Sequence, residues 1–482
     1  MSKARKSTSK GRSRTRRNRS KPKDNLAQVR DAVSWLLSPG IFEDFSFHGN
    51  TSWLPVELVV LALLWIWSDR SKLTDAFNDA RAKSVTLLGT AALTTYQGLA
   101  GALQTWTPRF MPLLQRRLHE LMERIGRGHF RVGLWVAIAF DGSRATTPRT
   151  MSNEQAFCAK NYGQGKTAKY RKKKTKGMRR RRNALAKAQP QAPQIWLTMM
   201  WHIGLGLPWC WKLGPSNSSE RQHVMDMVGS GHFPKNTLFV GDAGFVGYDF
   251  WKLILDEKHD FLVRVGGNVR LLTNLGLYTK QKKGIVYCWP NAAMSKKLPP
   301  LVLRLVTCRF GRKRIYLLTS VLDESQLNRK EIKKLYEQRW GVELEFRGLK
   351  QTFERRTLRS RKGERALVEM EWSLFGMTVI EMFALKQQLQ VKAANPRKLS
   401  FAKSLRAMRE SLCYLRDRPD HLSDLATLLA VAVTDTYQRR GSKTARYRPN
   451  KKDKPSCGAP IVSRATVEHR KKLEQLDLQL AA

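Results

Sequence analysis

The sequence predicts an α/β fold, with an α/β core and a β insertion in the middle of the chain and helical regions on either side. Three observations carry that prediction. Apolar residues recur at helical spacing in Asp31–Leu37, Pro55–Ser68, Ser71–Arg81 and Pro112–Arg124, and again in Ala366–Leu389, Phe401–Leu415 and Leu422–Tyr437. Between these two blocks the texture changes to short apolar runs with strand character. Two of those runs deliver an Asp into a glycine-flanked turn, first at Asp141-Gly142-Ser143 and then at Gly241-Asp242-Ala243-Gly244.

The chain has 482 residues, enough for two or three domains and a large core. Its 88 Lys and Arg against 39 Asp and Glu leave a net charge of +49. A surplus of that size selects a polyanionic partner, most simply nucleic acid. The charge runs along the whole chain, so a membrane surface fits less well. The cysteines, Cys158, Cys210, Cys288, Cys308, Cys413 and Cys457, form no CxxC pair. Neither a zinc ribbon nor a disulfide scaffold is indicated, and a reducing compartment, the cytoplasm, fits. The basic N-terminus is followed by no apolar h-region, so no secretory signal is expected. The most apolar run, Trp53–Trp67, contains Glu57 and is too short to span a bilayer. It reads as a buried helix, and no membrane partner is expected.

In chain order, residues 1–24 form a basic tail, with eleven Lys or Arg and no acid up to residue 23. Such a run either solubilises the chain or lies along phosphates, and the overall charge favours the second. Residues 25–129 form a helical region, a candidate for DNA binding, without a helix-turn-helix signature. Phe130–Phe140 reads as a buried strand, which would hold the Asp141 carboxylate rigidly at its end. An Asp before Gly is also an ordinary turn former. Residues 145–193 interrupt the strands. Within them, Lys166–Lys187 has twelve basic residues and no acid, which suits a loop over a nucleic-acid channel, with Lys172, Lys173, Arg180 and Arg181 at its centre. Gly165-Lys166-Thr167 ends like a P-loop, but Lys160 stands where the first Gly is required, so an ATP site is rejected.

Ile195–Ile203 and Pro208–Leu213 form an expected hairpin. A helix at about 218–228, the strand Thr237–Val240, a helix at Tyr248–Lys258 and a strand at Asp260–Val265 complete an α/β unit. Residues 266–318 read as an inserted β subdomain, and residues 438–482 as a basic tail. A catalytic domain over 130–355 and a C-terminal helical region over 356–437 follow from these boundaries.

The stretch Glu331–Gln351 reads as a helix. With Tyr336 at zero and about 100° per residue, Arg339 falls near 300°, Glu343 near 340° and Lys350 near 320°, so the four share one stripe. Glu345 falls near 180°. Leu335, Val342, Phe346 and Leu349 cluster beside the stripe and would seat it on a core. A carboxylate flanked by Arg, Lys and Tyr suits joint binding of a metal and a phosphate. For an arbitrary helix, exposed i,i+4 ion pairs would be the better reading. The two upstream Asp residues tip the balance. Three placed carboxylates, Asp141, Asp242 and Glu343, are what phosphodiester chemistry with two divalent ions needs. Mg²⁺ prefers such oxygen ligands. No His- or Cys-rich motif competes, and no GxSxG appears.

These residues resemble the DDE transposases of bacterial insertion sequences, the insertion-sequence-four group. The resemblance rests on Asp141-Gly-Ser after an apolar strand, on Asp242 in its Gly-Asp-x-Gly-Phe turn, and on the Tyr-x2-Arg-x3-Glu-x6-Lys spacing of Tyr336, Arg339, Glu343 and Lys350. It covers roughly residues 130–355. It implies an RNase H-like core with a β insertion before the Glu helix. It implies cut-and-paste transposition in which two Mg²⁺ or Mn²⁺ ions sit on Asp141, Asp242 and Glu343, while Tyr336, Arg339 and Lys350 grip phosphates. It implies double-stranded DNA partners, both transposon ends and target, a homodimer on DNA, and a nucleoid-associated place in a bacterial cytoplasm. The family stacks a flipped base on a Trp before a strand that here is Arg314–Ser320. That strand has no Trp, which leaves Tyr316 or Trp289 as platforms. The alternative from another class is a transposase-derived DNA-binding protein without catalysis. A third reading is an RNase H-like nuclease with no strand-transfer step.

Overall fold

The computed structural model describes residues 24–158, 192–435 and 458–481, apart from 39, 44, 46–50, 52, 91–92, 232, 278–283, 312 and 392–394. The expected basic arm (1–23) and the basic loop with Lys172, Lys173, Arg180 and Arg181 lie outside the described residues.

Four helices come first: α1 (Asn25–Leu36), α2 (Pro55–Trp67), α3 (Leu73–Leu88) and α4 (Tyr96–Ile125). Helix α4 begins well before the expected Pro112 and carries Pro108 and Pro112 inside it. The strand β1 (Val136–Thr146) and the helix α5 (Met151–Phe157) follow, then β2 (Gln194–His202) and β3 (Leu207–Gly214). Next come α6 (Glu220–Gly229), β4 (Thr237–Gly241), α7 (Tyr248–Asp256) and β5 (Asp260–Val265). The segment beyond β5 holds β6 (Arg270–Thr273), β7 (Ile285–Cys288), the short helix α8 (Asn291–Ser295), β8 (Leu301–Phe310) and β9 (Lys313–Thr319). After it come α9 (Arg329–Gln338), α10 (Gly341–Arg347) and a π-helical turn (Gly348–Thr352). The chain closes with α11 (Gly363–Leu389), α12 (Phe401–Cys413), α13 (Leu425–Ala430), β10 (Ile461–Arg464) and α14 (Val467–Ala481).

Among the described residues, ten strands join one mixed sheet, in the order β10-β6-β7-β8-β9-β5-β4-β1-β2-β3. The α/β class is therefore as expected. At its centre β1 runs parallel to β4 and antiparallel to β2, and β4 runs parallel to β5. Residues 266–318 hold strands, as expected of a β insertion, but these strands are not a sheet apart: β9 pairs antiparallel with β5, and β8, β7 and β6 extend the sheet from there. The apolar edge of β5 demanded a partner, and β9 supplies it. Nor are residues 438–482 a tail throughout, because β10 pairs in parallel with β6 and closes that edge.

The helical blocks are not separate regions either. Helix α2 is buried without interruption from Leu58 to Trp67, and a helix apolar on every side must be enclosed. It packs on α11, which is itself buried along almost its whole length. The Trp67 indole donates to the Gly376 carbonyl at 2.9 Å. A boundary at residue 129 thus cuts through packing. The expected helix at 422–437 shrinks to α13, capped by Asp424.

Candidate functional site

Asp141 lies within β1, not at its end. The strand continues through Gly142 and Ser143 to Thr146, because β2 pairs with it as far as Gln194. The register between β1 and β4 sets Ala139 beside Val240. Two residues further along each strand are Asp141 and Asp242, so neighbouring strands carry both carboxylates to one place. Asp242 sits just past β4 in a turn closed by its own side chain, which accepts from the Gly244 N–H at 2.7 Å. Asp141 likewise accepts from the Gly142 N–H at 2.9 Å.

The expected single helix carrying the third carboxylate is broken in two places. Between α9 and α10 the chain tightens at Arg339 and Trp340, where Val342 and Glu343 donate to carbonyls three residues back. At the far end the π turn bonds the Phe353 N–H to the Gly348 carbonyl at 2.9 Å. Such single π turns recur at functional sites. The break has a packing reason: Gly341 lies against the Trp201 ring of β2, so close that no side chain fits between them. The stripe residues nevertheless gather beside the strands that carry the two Asp residues. Arg339 Nη2 lies 3.7 Å from Glu343 Oε1, and its guanidinium sits over Tyr336 at 5.6 Å and over Trp340 at 5.5 Å. The Lys350 ammonium donates to Ser143 Oγ at 2.5 Å, on the same strand as Asp141. Leu335, Val342, Phe346 and Leu349 are buried as expected.

Burial and mutual charge perturb the groups here. Burial pushes Asp141 above the ordinary carboxylate range, against the pull of the Gly142 N–H and Arg339. Burial, and then the charge of Asp141, push Glu343 up as well. Burial raises the Tyr336 hydroxyl and lowers Lys350. Carboxyl groups raised in this way by burial and by one another form a place where a cation would be favoured. Arg339 answers from the other side. It is 4% exposed, yet its Nε and Nη1 have no hydrogen-bond partner among the described residues. A buried guanidinium with open donors is poised for an oxyanion.

The parts taken by four residues escaped the sequence reading. Glu220, the first residue of α6, brings a fourth carboxyl group against Asp141. Burial and the Asp141 charge raise it to about 7. In sequence it is an ordinary first-turn acid after the Ser219 cap. Ser143 receives Lys350, and Trp340, 56% exposed, stands beside Arg339 with Leu344, 58% exposed, one turn on. Of the proposed stacking platforms, Trp289 is corrected: it is buried at 5% exposure with its indole N–H donated to the Leu298 carbonyl at 2.8 Å. Tyr316 lies half-buried in β9. Among the described residues, no three His, Cys, Asp or Glu side chains converge closely enough to form a ready metal cage. Mg²⁺ commonly takes one or two carboxylates and completes its shell with waters and substrate phosphates, so the oxygen donors here suit it.

Carboxylates on adjacent central strands, a third on a later helix and a buried arginine beside them make a candidate site on a mixed α/β sheet. The Transposase DDE domain family matches residues 137–377, half of the chain and all of these residues, and the chain belongs to that family. It is 26% identical over 335 residues to the Transposase InsG for insertion sequence element IS4 of Escherichia coli (strain K12), covering 65% of this chain and 68% of that protein. The resemblance to the insertion-sequence-four transposases therefore holds. Among solved structures it is similar to the piggyBac transposase in a synaptic complex with hairpin DNA, at 12% identity and a TM-score of 0.39 over 87% of each chain. That likeness is too slight to build on. Among the described residues, no helix is long and apolar enough to cross a membrane.

Proposed function

We propose that this chain is a DNA transposase of the cut-and-paste type, built on an RNase H-like core formed by β1 to β5. The observation that carries the proposal is Arg339: a buried guanidinium whose Nη2 lies 3.7 Å from Glu343 Oε1, while its Nε and Nη1 have no hydrogen-bond partner among the described residues. Asp141, Asp242 and Glu343 are the residues that would hold two divalent ions, Mg²⁺ or Mn²⁺. Such ions, when bound, activate the attacking oxygen and stabilise the leaving one. Arg339 would bind the non-bridging oxygens of the scissile phosphate, with its orientation fixed by Tyr336 and Trp340. Lys350, held by Ser143, would contact a neighbouring phosphate. Chain-wide positive charge supports double-stranded DNA as partner, both transposon ends and target. The 25–129 helices would help to recognise the ends, and a homodimer would hold the two ends together. Cytoplasmic, nucleoid-associated residence follows from that substrate.

The test is Mg²⁺-dependent cleavage of the element's own end DNA by wild type and by Asp141→Asn, Asp242→Asn and Glu343→Gln. Cleavage by wild type alone, with end binding kept in all three variants, is the expected result. Activity retained in any variant would remove that residue from the site. If neither wild type nor variants cleave while binding stays tight, the chain is a DNA-binding protein derived from a transposase.

A further inference from the structure

We propose that Arg144, stacked on Trp196, is a further phosphate-binding group, and that it holds the DNA strand a few phosphates from the one that is cut. The inference rests on the reading of the site above and adds a contact to it.

The sheet opens next to the carboxylates. Pairing between β1 and β4 ends at Ala139 and Val240. The next chain on that side of β1 is the segment after the π turn, where Thr357 bridges to Thr146. There the Thr146 N–H donates to the Arg356 carbonyl at 2.9 Å, and the Leu358 N–H donates to the Thr146 carbonyl at 2.8 Å. Between these two pairings, residues 141–145 have β2 as their strand partner among the described residues. Cations border this gap. Lys350 reaches Ser143, and the charge of the exposed Arg356 stands close enough to disfavour a second cation at Lys350. Alternation along β1 sends Arg144 to the opposite face from Ser143.

Arg144 is held ready there. It is exposed, and its guanidinium lies over the ring of Trp196 at 4.3 Å. The two residues are directly opposite in the β1–β2 register. The ring is itself fixed: its indole N–H donates to Thr198 Oγ1 at 3.2 Å, and Thr198 Oγ1 meets His223 Nδ1 of α6 at 3.0 Å. Among the described residues, no carboxylate stands within ion-pair reach of Arg144. A guanidinium stacked on an indole is oriented in advance and keeps its in-plane donors open, the fork that takes a phosphate through two oxygens. Lys350, Arg356 and Arg144 gathered at one strand end repel one another until a polyanion covers them. Three residues of strand set Arg144 about 10 Å from Asp141, and a DNA strand carries about three phosphates over that length.

The experiment measures binding of the full-length protein to a duplex carrying the element's own end, without divalent metal, across a range of salt. The same duplex is also made with one phosphate at a time replaced by a neutral methylphosphonate. Wild type, Arg144→Gln, Arg144→Lys and Trp196→Leu are compared, and Mg²⁺-dependent cleavage by wild type is followed alongside. Arg144→Gln is expected to bind about tenfold more weakly and to lower the logarithmic salt slope by about one. A methylphosphonate roughly three phosphates from the cut should weaken wild type and leave Arg144→Gln unchanged. Arg144→Lys keeps the charge without the planar fork, and Trp196→Leu removes the platform. Both should keep the slope and lose part of the affinity. If every methylphosphonate weakens Arg144→Gln as much as wild type, Arg144 touches no phosphate and the inference falls, while cleavage by wild type leaves the site reading intact. Wild type that binds the duplex but does not cleave it overturns the site reading, and with it the place of Arg144 beside a cut.

Discussion

Gly341 offers the most direct check on how Glu343 is placed. It opens α10, and a methyl group there would lie 1.9 Å from Cη2 of Trp201, 2.4 Å from Cζ3 and 2.5 Å from Cζ2. Trp201 is 5% exposed and belongs to β2, which is held on both sides by β1 and β3. Neither partner can yield cheaply. Two effects oppose each other in Gly341→Ala. Helix propensity favours the alanine by about 1 kcal/mol, whereas forcing extra volume into a packed contact costs typically about 1–3 kcal/mol. Three ring atoms lie far inside contact distance, so the upper end applies and the net loss is about 2 kcal/mol. The effect on catalysis is larger. Restoring an ordinary carbon–carbon separation of ~3.5 Å moves the start of α10 by ~1.6 Å, and Glu343 is two residues along. A misplacement of ~1 Å costs about 100-fold in rate. The assay pairs guanidinium denaturation with Mg²⁺-dependent end cleavage for Gly341→Ala, Trp201→Leu and the double variant. Gly341→Ala should lose both stability and rate, and Trp201→Leu should recover part of each when combined with it. A Gly341→Ala protein as stable and as fast as wild type would refute the idea that the Trp201 contact sets the position of Glu343.

The buried pair Glu345 on α10 and Glu381 on α11 makes a pH prediction. Burial raises Glu345 to about 7 and, with the charge of Glu345, raises Glu381 further. Such a group contributes stability that is fully present below its unfolded pKa and is lost as pH rises through the folded one. From pH 4.5 to 7, Glu345→Gln should therefore gain on wild type by up to about 3 kcal/mol; parallel melting curves of the two proteins across that range would disprove it. Neutralising the basic residues of 166–187 should weaken DNA binding and flatten its salt dependence, since the slope falls by about one for each phosphate the protein no longer neutralises. An unchanged slope would place that loop off the DNA.

What the sequence made legible and what it hid differ in kind. Asp141, Asp242 and Glu343 stand out as candidates because each sits at a marked point: two in glycine-flanked positions on or just after apolar strands, one in a spaced helix signature. The fold class was readable for the same reason, since period and punctuation are local. The extension of the sheet through β9 was not, because edge pairing joins residues distant in sequence and any apolar strand could have served. Glu220, Ser143 and Trp201 belong with it. Each acts across a contact between elements: Glu220 on Gly142, Ser143 on Lys350, and Trp201 on Gly341. Two of these crossings are marked in the sequence by a glycine, yet Gly142 reads there as part of a turn and Gly341 lies inside a stretch that reads as one helix. Both are instead places where a side chain from another element needs the room. A glycine next to a candidate carboxylate is thus a question about what packs on it, and at Gly142 the answer is another carboxylate.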